Sequence, residues 1–397
     1  MRIPLFPVII WIIINLAIDL YIYRALKSRL PRNTFWRRLH LCLSVLLLAV
    51  IIVALALPIR SGNDSTLLTV NWLLFIYLTA YVPKYLYFLF DIISRIPRLL
   101  GFHRWKWLGR TGAVISIVMF FAFWWGTLIN RFNIDVREVT VKIPGLPSQF
   151  DGYRIVQFSD FHVGSYGSND SFVRDVVATV NALHPDAIFF TGDIVNRYSH
   201  ELPPFVPAMK ELYAPDGVLA ILGNHDYGDY HSWPSPAAKQ QNMEELYALF
   251  EKAGWKLLRN ETSWLVRGND SIAVIGVENI GDPPFPVYGS LSKAYPTIDD
   301  DKIKILLSHN PAHWVDSIAD HPAVNVPLTL SGHTHAMQMS VGRISPASLR
   351  YKTWGGLYHD TEGIHQLYVN IGLGTVGLPM RLGATPEITL ITLKPNS

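Results

Sequence analysis

Four apolar stretches crowd the first third of the chain, at residues 5–23, 39–59, 67–90 and 113–129. Each approaches the ~20 residues that an α-helix needs to cross a bilayer. With 397 residues, 50% of them hydrophobic, the chain is too long and too apolar for one ordinary soluble domain. It therefore divides into a membrane region of about four helices at 1–130, a linker with an edge strand at 131–150, and a globular domain at 151–397. The competing reading of the first stretch is a cleaved signal peptide. Asp19, Tyr21 and Tyr23 follow its apolar core, however, and no small-x-small cleavage site does. Within the spans, Asp19 and Lys84 are expected towards the ends, where their side chains reach the interface. Four spans of mostly Leu, Ile, Val and aromatic residues read as an anchor rather than a transporter.

Short cytoplasmic loops are enriched in Lys and Arg. The first loop carries Arg24, Lys27, Arg29, Arg32, Arg37 and Arg38, and the third carries Arg95, Arg98, Arg104, Lys106 and Arg110. The second has only Arg60 against Asp64. Loops one and three are thus expected in the cytoplasm, and the globular domain on the far side, which in a bacterium is periplasm or cell surface.

A net charge of +3 conceals a split between +11 for residues 1–130 and −8 for residues 131–397. The basic excess belongs to the membrane region, so charge supports no nucleic-acid partner for the globular domain. The one cysteine, Cys42, lies in the second span, so disulfides cannot staple the outer domain.

Beyond the membrane region, residues 136–143 alternate like an edge strand. Apolar runs at 153–159, 187–191, 218–222, 303–308, 328–331 and 367–371 suit buried strands. Residues 172–183 and 243–253 show helical spacing of apolar residues. Residues 264–267 and 272–277 flank Gly268-Asn269-Asp270 like a hairpin. The expected fold is α/β, with two packed mixed sheets flanked by helices, and its site beyond the carboxyl ends of the strands.

Polar motifs follow these runs in order. Asp160-Phe161-His162 can grip one cation, because alternate side chains of an extended backbone point the same way; taken alone it is as readily a turn. Asp193 follows Gly192, and a carboxylate there can bridge two ions or cap a helix. Gly223-Asn224-His225-Asp226 offers a neutral amide oxygen, an imidazole suited to act as general acid, and a carboxylate to orient that imidazole. His309-Asn310-Pro311 and Gly332-His333-Thr334-His335 complete the set. With no thiolate among them, the donors suit Mn, Fe, Zn or a mixed pair.

Together these motifs resemble the calcineurin-like metallophosphoesterase superfamily, in its bacterial membrane-associated branch, over about residues 151–393. The resemblance implies one metal held by Asp160, His162, Asp193 and His335, and a second by Asp193, Asn224, His309 and His333. It also implies His225 as the acid and a metal-bridging hydroxide attacking a phosphate mono- or diester. This chain has Ala336-Met337 where close relatives usually carry Gly-Gly after the second histidine, and the larger side chains are expected at the pocket rim. Phe161 stands where Leu is common. Loops 227–236, 281–295 and 372–383 are candidate rims, with Tyr230, Trp233, Phe285 and Tyr288 as an apolar edge and Arg381 as a phosphate contact through its planar fork. Such a rim near a bilayer points to lipid or envelope phosphates. The alternative is a catalytically silent receptor using the same fold, against which the complete ligand set argues.

Overall fold

The computed structural model describes residues 5–282 and 286–396, and the chain forms two compact units, Met1–Thr127 and Leu128–Ser397. In the first unit the apolar stretches become α1 (Leu5–Arg29), α2 (Thr34–Ala56), α3 (Asp64–Ile93) and α4 (Lys106–Leu128). All four are long and apolar enough to cross a membrane. A helix satisfies its backbone groups internally, as hydrocarbon surroundings demand. Asn33 and Asn63 cap α2 and α3, their side chains accepting from Phe35 N and Thr66 N at 3.0 Å. Leu47, Ile51 and Ala54 of α2, three and four residues apart, pack on Tyr77 and Tyr81 of α3.

Asp19 and Lys84 do not reach outward as expected. Lys84 Nζ lies 2.8 Å from Asp19 Oδ1, and Tyr81 donates to Asp19 Oδ2 at 2.7 Å. Isolated charges in hydrocarbon are expensive, so the two resolve that cost inside the bundle by pairing. Nearer the basic loops, the fully buried Asp91 takes Arg29 at 2.8 Å and Arg95 at 2.9 Å, and also Arg104.

The second unit holds two six-stranded sheets. In the first, β1 (Asp135–Ile143) is an edge strand, paired in parallel with β12 (Glu387–Pro395). The order continues through β2 (Arg154–Phe158), β3 (Ala187–Thr191), β4 (Val218–Ile221) and β5 (Trp255–Leu257). The second sheet runs β10 (Gly356–His359), β11 (Gln366–Val369), β9 (Leu328–Ser331), β8 (Lys304–Leu307), β7 (Asp270–Gly276) and β6 (Glu261–Arg267). β6 and β7 form the hairpin read from the turn sequence. Strands β5, β10 and β12 had no sequence assignment.

Strand alternation builds the layers. Ile188 and Phe190 of β3 face α5 (Ser171–Ala182) and α6 (Pro236–Lys252), meeting Val176, Val180, Leu246 and Phe250. Phe189 between them faces the other way, into a core shared with Ile272, Val274, Ile305 and Leu330 of the second sheet. The outer face of that sheet is covered by Trp314 and Ile318. The result is the expected pair of packed mixed sheets between helical layers. Strands β2, β3 and β4 are parallel, as are β7, β8, β9 and β11, so each set delivers its carboxyl ends to one edge.

Phe189 is fully buried between the sheets. Phe189→Ala should destabilise the second unit by about 3–5 kcal/mol, the usual cost of an aromatic deleted from a core. Urea unfolding monitored by near-UV circular dichroism checks this, and a shift below about 1 kcal/mol would contradict the packing described.

Candidate metal centre

Five of the seven ligand candidates lie two or three residues past a strand: Asp160 after β2, Asp193 after β3, Asn224 after β4, His309 after β8 and His333 after β9, with His162 and His335 two residues further along their loops. The structure brings all seven side chains together in two groups joined at Asp193. In the first, Asp160, His162, Asp193 and His335 are buried and present ligand atoms within 4.8 Å of one another, an arrangement that can hold a metal ion. His162 Nε2 and His335 Nε2 are 3.0 Å apart, and His335 Nε2 is 3.3 Å from Asp160 Oδ1. In the second, Asp193 Oδ2 is 3.2 Å from His309 Nε2. Asn224 Oδ1 lies 3.1 Å from His309 Nε2 and 2.8 Å from His333 Nδ1.

The backbone that achieves this is not the extended one expected for Asp-x-His. Asp160, His162, Asp193, His333 and His335 have φ of 51°, 46°, 62°, 76° and 50°, in the left-handed region. β2 has ended before Asp160 and β9 before His333, so the two histidines of the later pair turn into different groups. Ala336 and Met337 continue the left-handed run at φ 51° and 47°. Glycine would enter that region without strain, so the Ala-Met substitution acts first on the backbone. Only Met337 is exposed as a rim side chain would be; Ala336 is fully buried.

Carbonyl groups orient the rings. His162 Nδ1 donates to Val195 O at 3.1 Å, and His309 Nδ1 donates to Thr191 O at 2.8 Å. The Nε2 atoms of both rings are thereby turned to the cluster. His225 Nδ1 donates to Asn196 O at 2.7 Å, and its ring stacks on Tyr230 at 4.2 Å and meets His162 edge-on at 4.8 Å. The expectation that Asp226 orients His225 is corrected by these contacts. Asp226 instead accepts from the backbone N–H groups of Gly223 (2.8 Å), Asp193 (2.9 Å), Ile194 (2.9 Å) and Val195 (3.2 Å).

Burial sets the protonation pattern. It pushes His162 and His333 down to about 3, with neighbouring rings adding to the effect, so both are neutral and fit to ligate. Burial, with the Asp193 carboxylate, pushes Asp160 and Asp226 up to about 7. Burial would also raise Asp193, but His309 and His225 hold it well below the ordinary carboxylate range. His309 resists burial because Asp193 stands beside it, and is raised to about 9.

The expected rim needs three corrections. Arg381 is fully buried and donates to Gly374 O at 2.7 Å, Ala384 O at 3.1 Å and Ile371 O at 3.0 Å, with Nη2 3.2 Å from His335 Nδ1. Its fork is spent on holding the loop behind His335 rather than on a phosphate. Much of segment 372–383 is likewise a buried support. Leu373 N and Gly374 N donate to Ser159 O and Asp160 O, and a Cβ on Gly374 would come within 1.9 Å of Phe161 O. Tyr288 stacks on Tyr227 at 3.9 Å and donates to Asp229, fastening its loop to the core. Phe285 lies outside the described residues. Tyr230 does flank the site, its hydroxyl accepting from Asn224 Nδ2 at 2.9 Å, while Trp233 donates to Gly228 O at 2.8 Å. Sequence reasoning passed over Tyr351, whose hydroxyl is 3.0 Å from His333 Nε2. It follows no apolar run and belongs to no motif.

A two-sheet sandwich with a buried Asp/His/Asn cluster at its strand ends, following four apolar helices, defines a membrane-associated metallophosphoesterase. The chain belongs to the calcineurin-like phosphoesterase family, a family of metal-dependent phosphoric ester hydrolases: residues 153–337 match the family model of that name. Residues 1–131 match the model described as a probable calcineurin-like phosphoesterase, transmembrane domain. The uncharacterized metallophosphoesterase YkuE of Bacillus subtilis is 36% identical over 272 residues, covering 66% of this chain and 86% of that protein. The UDP-2,3-diacylglucosamine pyrophosphatase LpxG of Chlamydia trachomatis is 28% identical, covering 66% of this chain and 91% of its own. The uncharacterized metallophosphoesterase Cj0846 of Campylobacter jejuni is 24% identical over 98% of both chains.

Two outcomes follow from the site's geometry. Asp160 and His309, with metal-free values of about 7 and 9, must both shed a proton to ligate. Apparent Mn or Zn affinity should therefore fall about tenfold per unit below pH 9 for the ion beside His309, and about tenfold per unit below pH 7 for the ion beside Asp160; calorimetry in buffers of different ionisation heat reads the released protons. Separately, Met337→Gly should stabilise the protein by about 0.5–1 kcal/mol, because relief of the left-handed strain outweighs the entropy glycine adds to the unfolded chain. Thermal unfolding checks it, and a lowered midpoint would contradict the strain.

Proposed function

We propose that this protein is a membrane-anchored phosphoesterase using two divalent ions, and that it hydrolyses phosphate esters carried by lipids or envelope glycans. The observation that supports this best is the pair of four-ligand groups sharing Asp193. Asp160, His162, Asp193 and His335 would hold one ion, and Asp193, Asn224, His309 and His333 the other. The donors fit, since the Nε2 atoms of His162 and His309 converge with carboxylate and amide oxygens and no thiolate intervenes. Ions held there, Mn, Fe or Zn, supply a water nucleophile at neutral pH and neutralise the phosphoryl oxygens.

The chain's own residues do the rest. Tyr230 holds Asn224 by its amide nitrogen, which turns Oδ1 toward the cluster. Tyr351 steadies His333 from the other side of its ring. His225 is fixed through Nδ1–H to Asn196 O, and in its imidazolium form the ring would give its Nε2 proton to the leaving alkoxide. The loop charges favour an extracytoplasmic catalytic unit. An amphiphilic substrate is favoured by the four apolar helices and by the relative named for a diacylated sugar nucleotide.

Metal analysis of the purified full chain should find two ions, with activity on bis(p-nitrophenyl) phosphate lost in Asp193→Asn. His225→Ala should keep both ions and lose about 10²–10⁴-fold in kcat on alkyl phosphates. It should lose far less on p-nitrophenyl esters, whose leaving group needs no acid. An intact enzyme without metal or turnover would favour the silent receptor. Cleavage of soluble nucleotides with no turnover of any membrane-extracted phospholipid would sink the amphiphilic substrate.

A further inference from the structure

Five cations and no carboxylate line a cavity of about 390 Å³ in the membrane unit: Arg29 of α1, Arg98 of the one-turn helix Ile96–Leu99, and Arg104, Lys106 and Arg110 around the start of α4. Arg29 and Arg104 are bound to Asp91, which also serves Arg95. Among the described residues, Arg98, Lys106 and Arg110 form no ion pair. One buried carboxylate therefore answers three guanidinium groups, and the cavity keeps a concentrated excess of positive charge. Like charges brought together around one space call for an anion.

A second cavity, of about 380 Å³, shares Ala113 with the first and is apolar in character, with Ile22 of α1, Tyr87 of α3 and Ile117, Phe120 and Phe121 of α4 among its walls. Arg110, Ala113, Ile117 and Phe121 are spaced by three and four residues, so they stand on one face of α4. That face runs from charge to hydrocarbon over about 16 Å, the rise of eleven helical residues. Ile117 and Phe121 are 58% and 64% exposed, so the apolar part is open to an acyl chain.

We infer that this face binds an anionic phospholipid, its phosphate among the five cations and one acyl chain along Ile117 and Phe121. A zwitterionic headgroup would bring an ammonium into the same ring of cations, and a soluble anion would leave the apolar groove unused. Basic pockets between membrane helices are suited to anionic headgroups, and the loop charges put this one on the cytoplasmic leaflet. The site lies wholly within the membrane unit and shares no residue with the metal cluster.

The test uses the full chain in phosphatidylcholine nanodiscs containing a minor fraction of phosphatidylglycerol, with native mass spectrometry reading which lipid stays bound. Phosphatidylglycerol should be enriched about tenfold over its share, and Lys106→Gln with Arg110→Gln should remove about that enrichment. Arg98→Gln, on a separate element, guards against a folding defect in α4, and Ala113→Trp should block the joint between headgroup and chain. All variants should keep wild-type hydrolysis of a soluble phosphodiester. Equal retention of both lipids, or enrichment unchanged in the variants, overturns the proposal. So does thermal stabilisation by glycerol phosphate equal to that by phosphatidylglycerol, which would mark a site for soluble anions.

Discussion

One carboxylate outside the candidate cluster holds the loops of the site in place. Asp226, on the loop after β4, collects four backbone N–H groups, three of them from the loop after β3. Each donor left unsatisfied in that buried setting would cost about 1–3 kcal/mol, so the two loops are locked as a unit. The constraint travels further, because Val195, fixed by its N–H, gives its carbonyl to His162. The same tight join explains the glycines at its centre: a Cβ on Gly192, at φ 97°, would lie 2.6 Å from Gly223 N. Position and ring orientation of ligands on three strands thus descend from one acceptor.

The second constraint is conformational. Five of the seven cluster side chains hang from left-handed backbone, which costs a residue with a Cβ roughly 1–2 kcal/mol. Such strain persists only where surrounding bonds over-determine it. Here they do: Gly374 N and Leu373 N clamp the Asp160 turn, His333 N donates to both Asp160 oxygens at 3.0 Å, and Arg381 braces the loop behind His335. The turns direct the ligands inward at once after the strands end, which an extended continuation would not do.

This also marks what the sequence could reveal. Apolar runs bounded by polar motifs made β2, β3, β4, β8, β9 and the hairpin legible, because a strand buried on both faces has a local signature. The four spanning helices were legible from length alone. Identity and order pointed to the seven side chains that the fold gathers, but not to how they are held. Asp226 looks like a partner for its neighbour His225, and only the tertiary fold turns it toward four amides. Arg381 looks like an exposed phosphate contact, and only burial reveals its carbonyl partners. Glu387–Pro395 escaped notice because it belongs in the sheet through β1 and β2, more than 200 positions away.

The charge split takes on a different meaning once the side chains are placed. Of the 28 acidic residues after position 130, only Asp160 and Asp193 belong to the cluster, so ligands do not account for the −8 balance of that part. A negative domain repels free phosphate esters over several ångströms, and steering would slow their capture. A phosphate ester held in a membrane is concentrated by its apolar part instead, and needs no favourable long-range field to reach an enzyme carrying its own spans. The acidity of the second unit and the apolar helices on the same chain are thus consistent with the amphiphilic substrate proposed above. Selection by shared confinement to a bilayer suits a protein whose positive charge is gathered in its membrane unit.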